Sequence, residues 1–152
     1  MIVLPIAFLL AQADPDLDKA VLNLYSVISG PAEKKRDWVA FRGMFAEGAQ
    51  MRVIGKSRVV MLTPEDYVAR SGPFLEKNGF FEKEVSRKSW VYGPMAQVWS
   101  TYESRKTESD EKPFARGINT LTLAKTADGW KIVSISWTDE ATAGPIPKDF
   151  GG

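Results

Sequence analysis

The segment over residues 117–140, GINTLTLAKTADGWKIVSISWTDE, decides the fold class. Apolar and polar residues alternate on both sides of Asp128-Gly129, a dipeptide typical of the tight turn of a β-hairpin. The same alternation of apolar and polar residues continues upstream, where Gly93-Pro94 is expected to form a turn between two further strands. The predicted strands are residues 80–92, 95–107, 114–125 and 130–138. The second half of the chain is therefore predicted to form four long antiparallel strands.

The first half carries helical signals. Asp14 can cap a first helix and Pro15 suits its first position, and apolar residues then recur on one face until Gly30-Pro31. A shorter helix is predicted after Asp37, with an apolar stripe of Trp38, Phe41, Met44 and Phe45. Gly48 is expected to end that second helix.

A third helix is predicted to begin at Thr63 with a capping box, and Asn78-Gly79 is expected to end it. Gly72-Pro73 should break or kink this helix. Two short strands, residues 49–55 and 57–62, precede it. Helices followed by a strand meander indicate an α+β domain, with the helices packed on a strongly curved antiparallel sheet that encloses a pocket.

Composition excludes several function classes. The 152 residues suit one domain, and 44% hydrophobic residues are sufficient for a packed core. The chain has no cysteine and no histidine, so we predict no metal site and no cofactor, and the commonest general base is missing. A net charge of +1 without a basic face argues against nucleic-acid binding. The basic cluster Lys34-Lys35-Arg36 is expected to be solvated surface.

The N-terminus is typical of an export signal. Ile2 to Ala11 is almost entirely apolar, and Ala11-Gln12-Ala13 fits a cleavage site, although a basic start is missing and a buried strand is the alternative. We predict a signal peptide over residues 1–13, a domain over 14–142 and a flexible tail over 143–152. The mature protein would be periplasmic or extracellular and would have no membrane span.

Four segments in this order resemble the nuclear transport factor 2-like superfamily, which includes ketosteroid isomerase, scytalone dehydratase and SnoaL-like polyketide cyclases. The segments are VLNLYSVISG (21–30), WVAFRGMFAEGAQMRVIG (38–55), TPEDYV (63–68) and the hairpin 117–140. The resemblance implies a cone-shaped, cystatin-like fold. It also implies a homodimer formed back to back through the outer face of the sheet.

The isomerase pattern is matched only in part. The resemblance places Tyr25 at its first oxyanion-hole donor and Asn119 at its second, where the family has a protonated aspartate. Its general base falls near Val53, and a valine cannot accept a proton. Donors alone polarise a carbonyl without removing the neighbouring hydrogen, so we do not expect isomerase chemistry of this kind.

Strand alternation predicts which side chains line the pocket. If Asn119 faces inward, Leu121 and Leu123 on the same strand also face inward. On the last strand, the residues expected to face inward are Val133, Ile135, Trp137 and Asp139. The candidate ligand-binding residues are Tyr25, Trp38, Phe41, Phe45, Tyr67, Tyr102, Asn119, Trp137 and Asp139. For the aromatic residues the alternative is simple core packing, and Asp139 is either a pocket-mouth carboxylate or solvated.

These observations favour an exported domain that binds a small apolar or aromatic molecule without catalysis. One alternative is an isomerase-like or SnoaL-like enzyme for a hydrophobic carbonyl or polyketide-type substrate, with Asp139 as an improvised base. The other is an interaction module with a filled cavity. A homodimer would bury an outer sheet face of small and β-branched residues. That face is predicted to comprise Trp99, Ile118, Thr120, Thr122, Ile132, Ser134 and Ser136.

Overall fold

The structure is a computed structural model that describes residues 14–152. The export signal predicted over residues 1–13 lies outside the described residues and stays a prediction. In chain order the elements are α1 (Pro15–Ile28), α2 (Trp38–Gly43), β1 (Phe45–Ile54), β2 (Val59–Leu62), α3 (Pro64–Asn78), β3 (Phe81–Tyr92), β4 (Met95–Arg105), β5 (Ala115–Thr126), β6 (Gly129–Asp139), α4 (Glu140–Ala143) and a short 3-10 helix (Lys148–Phe150). This arrangement is the predicted α+β class.

The caps of α1 and α3 form as the sequence indicates. The Asp14 carboxylate accepts hydrogen bonds from the backbone amides of Asp16 and Leu17, and Thr63 and Asp66 complete a capping box. Of the two outcomes predicted for Gly72-Pro73, a break does not occur, because α3 continues to Asn78. Pro73 lies on the solvent side of the helix, where water can satisfy the carbonyl that its missing N–H leaves free.

The boundary between α2 and β1 differs from the prediction. The helix ends at Gly43, and Phe45 is already the first residue of β1, where it pairs with Ile132. Gly48 lies inside the strand rather than at a helix end. Its φ of +73° lets the backbone bulge between Phe45 and Gln50, and the ladder then resumes.

The six strands form one curved sheet in the order β2-β1-β6-β5-β4-β3. All neighbours are antiparallel except β1 and β6, which run parallel with Met51 opposite Ile135. The predicted antiparallel sheet therefore contains one parallel pair. Helices α1 and α3 pack on one face of the sheet, the inner face, which carries Asn119, Leu121 and Leu123 as predicted.

A bulge in β6 corrects the inner-face prediction for this strand. The register shifts between Thr122 and Leu123, so that Leu123 pairs with Ile132. Ile132 is therefore in the core at 1% exposure, although it was predicted on the outer face, and Val133, predicted inside, is 39% exposed. One extra residue is enough to reverse side-chain orientation, because strand side chains alternate with a period of two. Beyond the bulge, Ile135 is buried as predicted.

Arg36 is buried rather than solvated, in contrast to the prediction for its basic cluster, and is 6% exposed. Its Nε donates to the Ile28 carbonyl at 2.9 Å, and its Nη2 donates to the carbonyls of Gly30 and Leu75 at 2.7 and 3.0 Å. These carbonyls lie at or near the C-terminal ends of α1 and α3, where backbone acceptors lack partners within the helix. The guanidinium thus joins the two helices that cover the sheet.

The C-terminal residues 143–152, predicted as a flexible tail, lie against the outer face of the sheet. Phe150 packs on Trp99 with ring centroids 5.1 Å apart, and its carbonyl accepts a 2.6 Å hydrogen bond from Thr101 Oγ1. The Gly151 carbonyl accepts from Arg116 at 3.0 Å. The folded part of the chain therefore continues beyond Ala143, and part of the outer face is covered.

The homodimer through the outer face stays a prediction. The part of that face beyond the C-terminal segment exposes Trp90, Tyr92 and Met95 near the β3–β4 turn. We expect light scattering at micromolar concentration to give twice the mass of the chain, since apolar surface of this kind is usually buried by a partner. A monomer at that concentration would contradict the prediction. Within residues 14–152, no helix is long and apolar enough to cross a bilayer.

Candidate functional site

A cavity of about 410 Å³ lies between the inner face of the sheet and helices α1 and α3. Leu24 and Ile28 of α1, Leu75 of α3, and Met51 and Ile135 of the central strands give it an apolar wall. A cavity of this size is sufficient for a small organic molecule, because ligand pockets begin at roughly 300 Å³. It lies between the helices and the curved sheet, where the sequence predicts a pocket.

Aromatic side chains mark the entrance of the cavity. Phe74 of α3 is 61% exposed and Phe114, just before β5, is 55% exposed, and both also line the cavity. Phe80 packs edge-on against Phe114, with ring centroids 6.2 Å apart. Exposed aromatic rings at a cavity mouth offer apolar contact to an incoming molecule. None of these three phenylalanines was among the residues predicted from the sequence to bind a ligand.

Several predicted site residues meet at the cavity wall. Phe41, Tyr67, Tyr102, Asn119 and Trp137 all line it. Phe41 and Tyr67 stack with ring centroids 5.3 Å apart, and Tyr67 meets Trp137 edge-on at 6.3 Å. For these five residues, the resemblance at Asn119 and the periodicity of strands and helices together predicted the correct side of the sheet.

Trp38 and Phe45 do not reach the cavity. Both pack against Phe41, at centroid distances of 5.6 and 5.0 Å, and Trp38 Nε1 donates to Glu76 at 2.8 Å. Trp38 also lies against Gly72 of α3, where a Cβ would be only 3.2 Å from the indole. These two residues play the core-packing role that the sequence left open as their alternative.

Asp139 does not line this cavity either. Its carboxylate accepts a 2.8 Å hydrogen bond from the Thr142 amide and so caps α4. It borders a second cavity, of about 350 Å³, which the C-terminal segment encloses against the outer face. Asp139 is therefore not placed to be the improvised base of the inner cavity. Val53, near which the general base of the isomerases would fall, packs against the core and does not line the cavity.

Asn119 is joined to Tyr25 behind the cavity wall. Asn119 Nδ2 donates to the Tyr25 hydroxyl at 2.9 Å, and that hydroxyl is 2.7 Å from Ser100 Oγ. Burial raises the pKa of Tyr25 well above its usual range, so the phenol stays neutral. The structure brings Tyr25 and Asn119 together as the sequence suggested, but only Asn119 reaches the cavity.

An ion pair supports this hydrogen-bonded chain from the other side. Ser100 Oγ donates to Glu84, and Arg87 Nε donates to both Glu84 oxygens at 2.9 Å. Arg87 also contacts Asp18 of α1. The chain of polar side chains therefore runs from the cavity to the protein surface, since Asp18 is half exposed.

Glu82 is the functional candidate that the sequence analysis missed. It lines the cavity, accepts a 2.7 Å hydrogen bond from Ser104 Oγ, and has no cationic partner among the described residues. Burial raises the pKa of Glu82 to about 7, and the Ser104 hydrogen bond offsets only part of that effect. A carboxyl group with such a pKa can both accept and donate a proton near neutral pH.

The sequence contains only part of the signal for Glu82. In the segment Phe81–Val85, FEKEV, the glutamates recur at a spacing of two and therefore share one face of β3. Val85, on the opposite side, is 41% exposed. The spacing alone does not say which face is buried. The structure shows that it is the face with the acids, the reverse of the usual pattern, and buried acids of this kind concentrate at functional sites.

Two tyrosine hydroxyls complete the polar groups of the cavity. Neither the Tyr67 nor the Tyr102 hydroxyl has a hydrogen-bond partner within residues 14–152. Burial, with a further contribution from nearby Glu82, raises the pKa of both phenols well above the usual range. Both are therefore neutral donors. Within the same residues, no cluster of three or more acidic side chains is arranged to hold a metal ion.

Solved structures with the same architecture identify the fold. An NTF2-like protein with a cystatin-like fold from Novosphingobium aromaticivorans superimposes with a TM-score of 0.64 over 81% of this chain and 79% of its own, at 14% identity. This chain has the nuclear transport factor 2-like fold. No protein-family model matches its sequence, and no curated protein matches it.

Two other proteins with the nuclear transport factor 2-like fold carry names that refer to enzymes. A candidate scytalone dehydratase from Novosphingobium aromaticivorans matches with a TM-score of 0.63, at 12% identity, over 88% of this chain and 87% of its own. A candidate ketosteroid isomerase from Shewanella frigidimarina matches with a TM-score of 0.52, at 17% identity, over 82% and 92%. At such identities the likeness concerns the fold alone.

Proposed function

We propose that this chain binds a small, largely apolar molecule in the cavity between the helices and the inner face of the sheet. The observation that carries the proposal is the unfilled volume of about 410 Å³ whose entrance is formed by the exposed rings of Phe74 and Phe114. The aromatic residues of the chain leave this cavity open. This argues against the third function considered from the sequence, an interaction module with a filled cavity.

The chemistry of the wall supports an amphipathic ligand. Its area is mainly apolar, while the polar groups of Glu82, Tyr102 and Asn119 lie on three adjacent strands. Gly117 opposes Tyr102 on β5, and a Cβ there would meet the Tyr102 hydroxyl at 2.4 Å. Only glycine therefore leaves room for that phenol. Mostly apolar walls with a few convergent polar groups are typical of small-molecule sites.

A thermal-shift titration with 2-naphthol and naphthalene tests the proposal. Both are small enough for the cavity, and a ligand that binds only the folded state raises the melting temperature with its concentration. At about one hundred times the dissociation constant, the stabilisation would be about 2.7 kcal/mol, or roughly 5–11 °C for a domain of this size. No shift with either compound up to its solubility limit would overturn the proposal.

A cavity-filling variant makes this test specific. Ala115 lines the cavity, so Ala115→Leu should reduce the affinity for either compound by about tenfold or more, because the added methyl groups occupy ligand space. The matched control is Ala69→Leu on the exposed side of α3, which should bind as the wild-type protein does. Equal affinity in the two variants would mean that the compounds bind elsewhere.

A proton-transfer enzyme is the second candidate, and Glu82 is the observation that favours it. With a pKa raised to about 7, this carboxyl can act as a base at neutral pH, the role for which the sequence suggested Asp139. The neutral phenols of Tyr67 and Tyr102 would donate to a carbonyl oxygen as negative charge develops on it. Such a site would remove a proton from the carbon next to that carbonyl.

Exchange of hydrogen for deuterium next to the carbonyl of 2-tetralone would test this activity. Followed by NMR in deuterated buffer, the enzymatic rate should rise with an apparent pKa near 7 as Glu82 ionises. The Glu82→Gln variant should lose at least about a hundredfold in rate, the usual range for a general base. Binding without any exchange above the buffer rate would reject the enzyme and leave the binding proposal in place.

A further inference from the structure

Each hydrogen bond in the series Glu84, Ser100, Tyr25 and Asn119 behind the cavity has only one possible donor. The assignment of donors starts at Glu84. Arg87 donates to both oxygens of the Glu84 carboxylate, so neither oxygen carries a proton of its own. Ser100 Oγ lies against the same carboxylate, and the serine must be the donor in that contact. A serine hydroxyl has only one proton, so Ser100 has none left for its other neighbour.

The donor assigned at Ser100 determines which group donates in the hydrogen bond between Ser100 and Tyr25. The Tyr25 hydroxyl is 2.7 Å from Ser100 Oγ, where either group could donate if the pair were isolated. Because the proton of Ser100 is directed to Glu84, the Tyr25 proton is the one between the two oxygens. The Tyr25 oxygen can then only accept a further hydrogen bond, and Asn119 supplies it.

This direction determines how the Asn119 amide is turned. The nitrogen must face Tyr25, since the amide oxygen would meet the phenol oxygen with no hydrogen between them. Asn119 Oδ1 accepts no hydrogen bond from residues 14–152, and it is not among the polar atoms sealed away from solvent. Because Asn119 lines the cavity, its free oxygen is a hydrogen-bond acceptor open to that space.

We propose that the cavity selects molecules whose polar end donates a hydrogen bond to Asn119 Oδ1, that is, phenols or alcohols on a compact apolar frame. This inference rests on the proposed binding function and specifies its ligand class. It reverses what the resemblance to the isomerases implied, since Asn119 was compared there with a donor to a carbonyl oxygen. The acceptor is rigid, because the ion pair of Arg87 and Glu84 fixes every proton in the chain.

A matched pair of probes tests the polarity of the site. 2-Naphthol can donate a hydrogen bond, whereas 2-methoxynaphthalene has the same frame and can only accept one. We expect the wild-type protein to bind 2-naphthol at least about tenfold more tightly by isothermal titration calorimetry, because the ether would leave the buried Asn119 oxygen without a partner. Equal affinities for the two probes would overturn this inference alone, and binding of neither would overturn the proposed function as well.

Two variants test whether the preference for 2-naphthol depends on the hydrogen bonds that link Glu84 to Asn119. Asn119→Leu keeps the shape but removes the acceptor, so the preference for 2-naphthol should fall to about twofold or less. A preference unchanged in this variant would place the acceptor elsewhere and reject the proposal. Ser100→Ala removes the group that takes the Tyr25 proton. Tyr25 can then donate to Asn119 Oδ1, and the amide would turn its nitrogen towards the cavity.

The expected result for Ser100→Ala is therefore a reversed preference, with 2-methoxynaphthalene bound more tightly than 2-naphthol. A variant that merely loosened the site would weaken both probes together. Retention of the wild-type preference in folded Ser100→Ala protein would show that the direction of the chain does not control the site, which would overturn the proposal. Circular dichroism and the melting temperature confirm folding of each variant before the titrations.

Discussion

Replacing Arg36 by methionine should destabilise the fold by about 3 kcal/mol or more, although Arg36 does not itself line the cavity. The substitution leaves the buried carbonyls of Ile28 and Leu75 without a donor, whereas the Gly30 carbonyl keeps its hydrogen bond from the Phe80 amide. Each buried acceptor without a partner costs about 1–3 kcal/mol, and water can restore only part of this loss. The melting temperature should fall by roughly 6–12 °C.

Lys35→Met is the matched control, since Lys35 is the exposed neighbour of Arg36 and should change stability by less than about 0.5 kcal/mol. Arg36→Lys should restore little, because an ammonium group cannot reproduce the planar set of donors. Urea denaturation followed by circular dichroism measures all three variants. A free energy of unfolding for Arg36→Met within about 1 kcal/mol of the wild type would contradict the role assigned to this guanidinium.

Replacing Glu82 by glutamine should have the opposite effect and stabilise the protein above pH 7. Burial raises the pKa of Glu82 from 4.5 to about 7, so the folded protein holds this proton more tightly than the unfolded chain. The free energy of unfolding should therefore fall as the pH rises from about 4.5 to 7, and stay level above that. Glutamine cannot ionise and avoids the loss, which is about 1–3 kcal/mol if water in the cavity relieves part of it.

Urea denaturation at a series of pH values between 4 and 8 checks this prediction. Wild type and Glu82→Gln should be close in stability near pH 4.5, where both side chains are neutral, and should separate as the pH approaches 7. Glu108→Gln, in the exposed β4–β5 connection, is the control and should follow the wild-type profile. Parallel profiles for wild type and Glu82→Gln would mean that the carboxyl is solvated in the folded state.

The sheet could be predicted because its signals are local. The turn at Asp128-Gly129 and the alternation on both sides of it belong to neighbouring residues, and the strands β3 to β6 lie close to their predicted bounds. The bulge that buries Ile132 could not be predicted in this way. It depends on how β6 fits between two partners, and an unbroken apolar pair such as Ile132-Val133 allows either residue to face inward.

Several aromatic residues of the cavity wall could be predicted from the spacing of apolar residues in the sequence, but the buried carboxyl group and the hydrogen-bond directions could not. Glu82 was not predicted, because a charged residue in a strand is most often solvated and the sequence suggested Asp139 as the carboxylate base instead. Tyr25 and Asn119 were paired correctly. Their hydrogen-bond direction depends on Glu84 and Arg87 of a different strand, which only the folded arrangement brings together.

The place of β6 between β1 and β5 has a consequence for how the protein acquires its structure. This strand is synthesised after the other five strands of the sheet, yet both parts of the sheet pair with it. Until residues 129–139 emerge, the β1–β2 hairpin has no neighbour and the edge of β5 is unprotected. Folding of the sheet should therefore await the synthesis of residues 129–139 and proceed in milliseconds to seconds, and chains truncated before Gly129 should aggregate or be degraded.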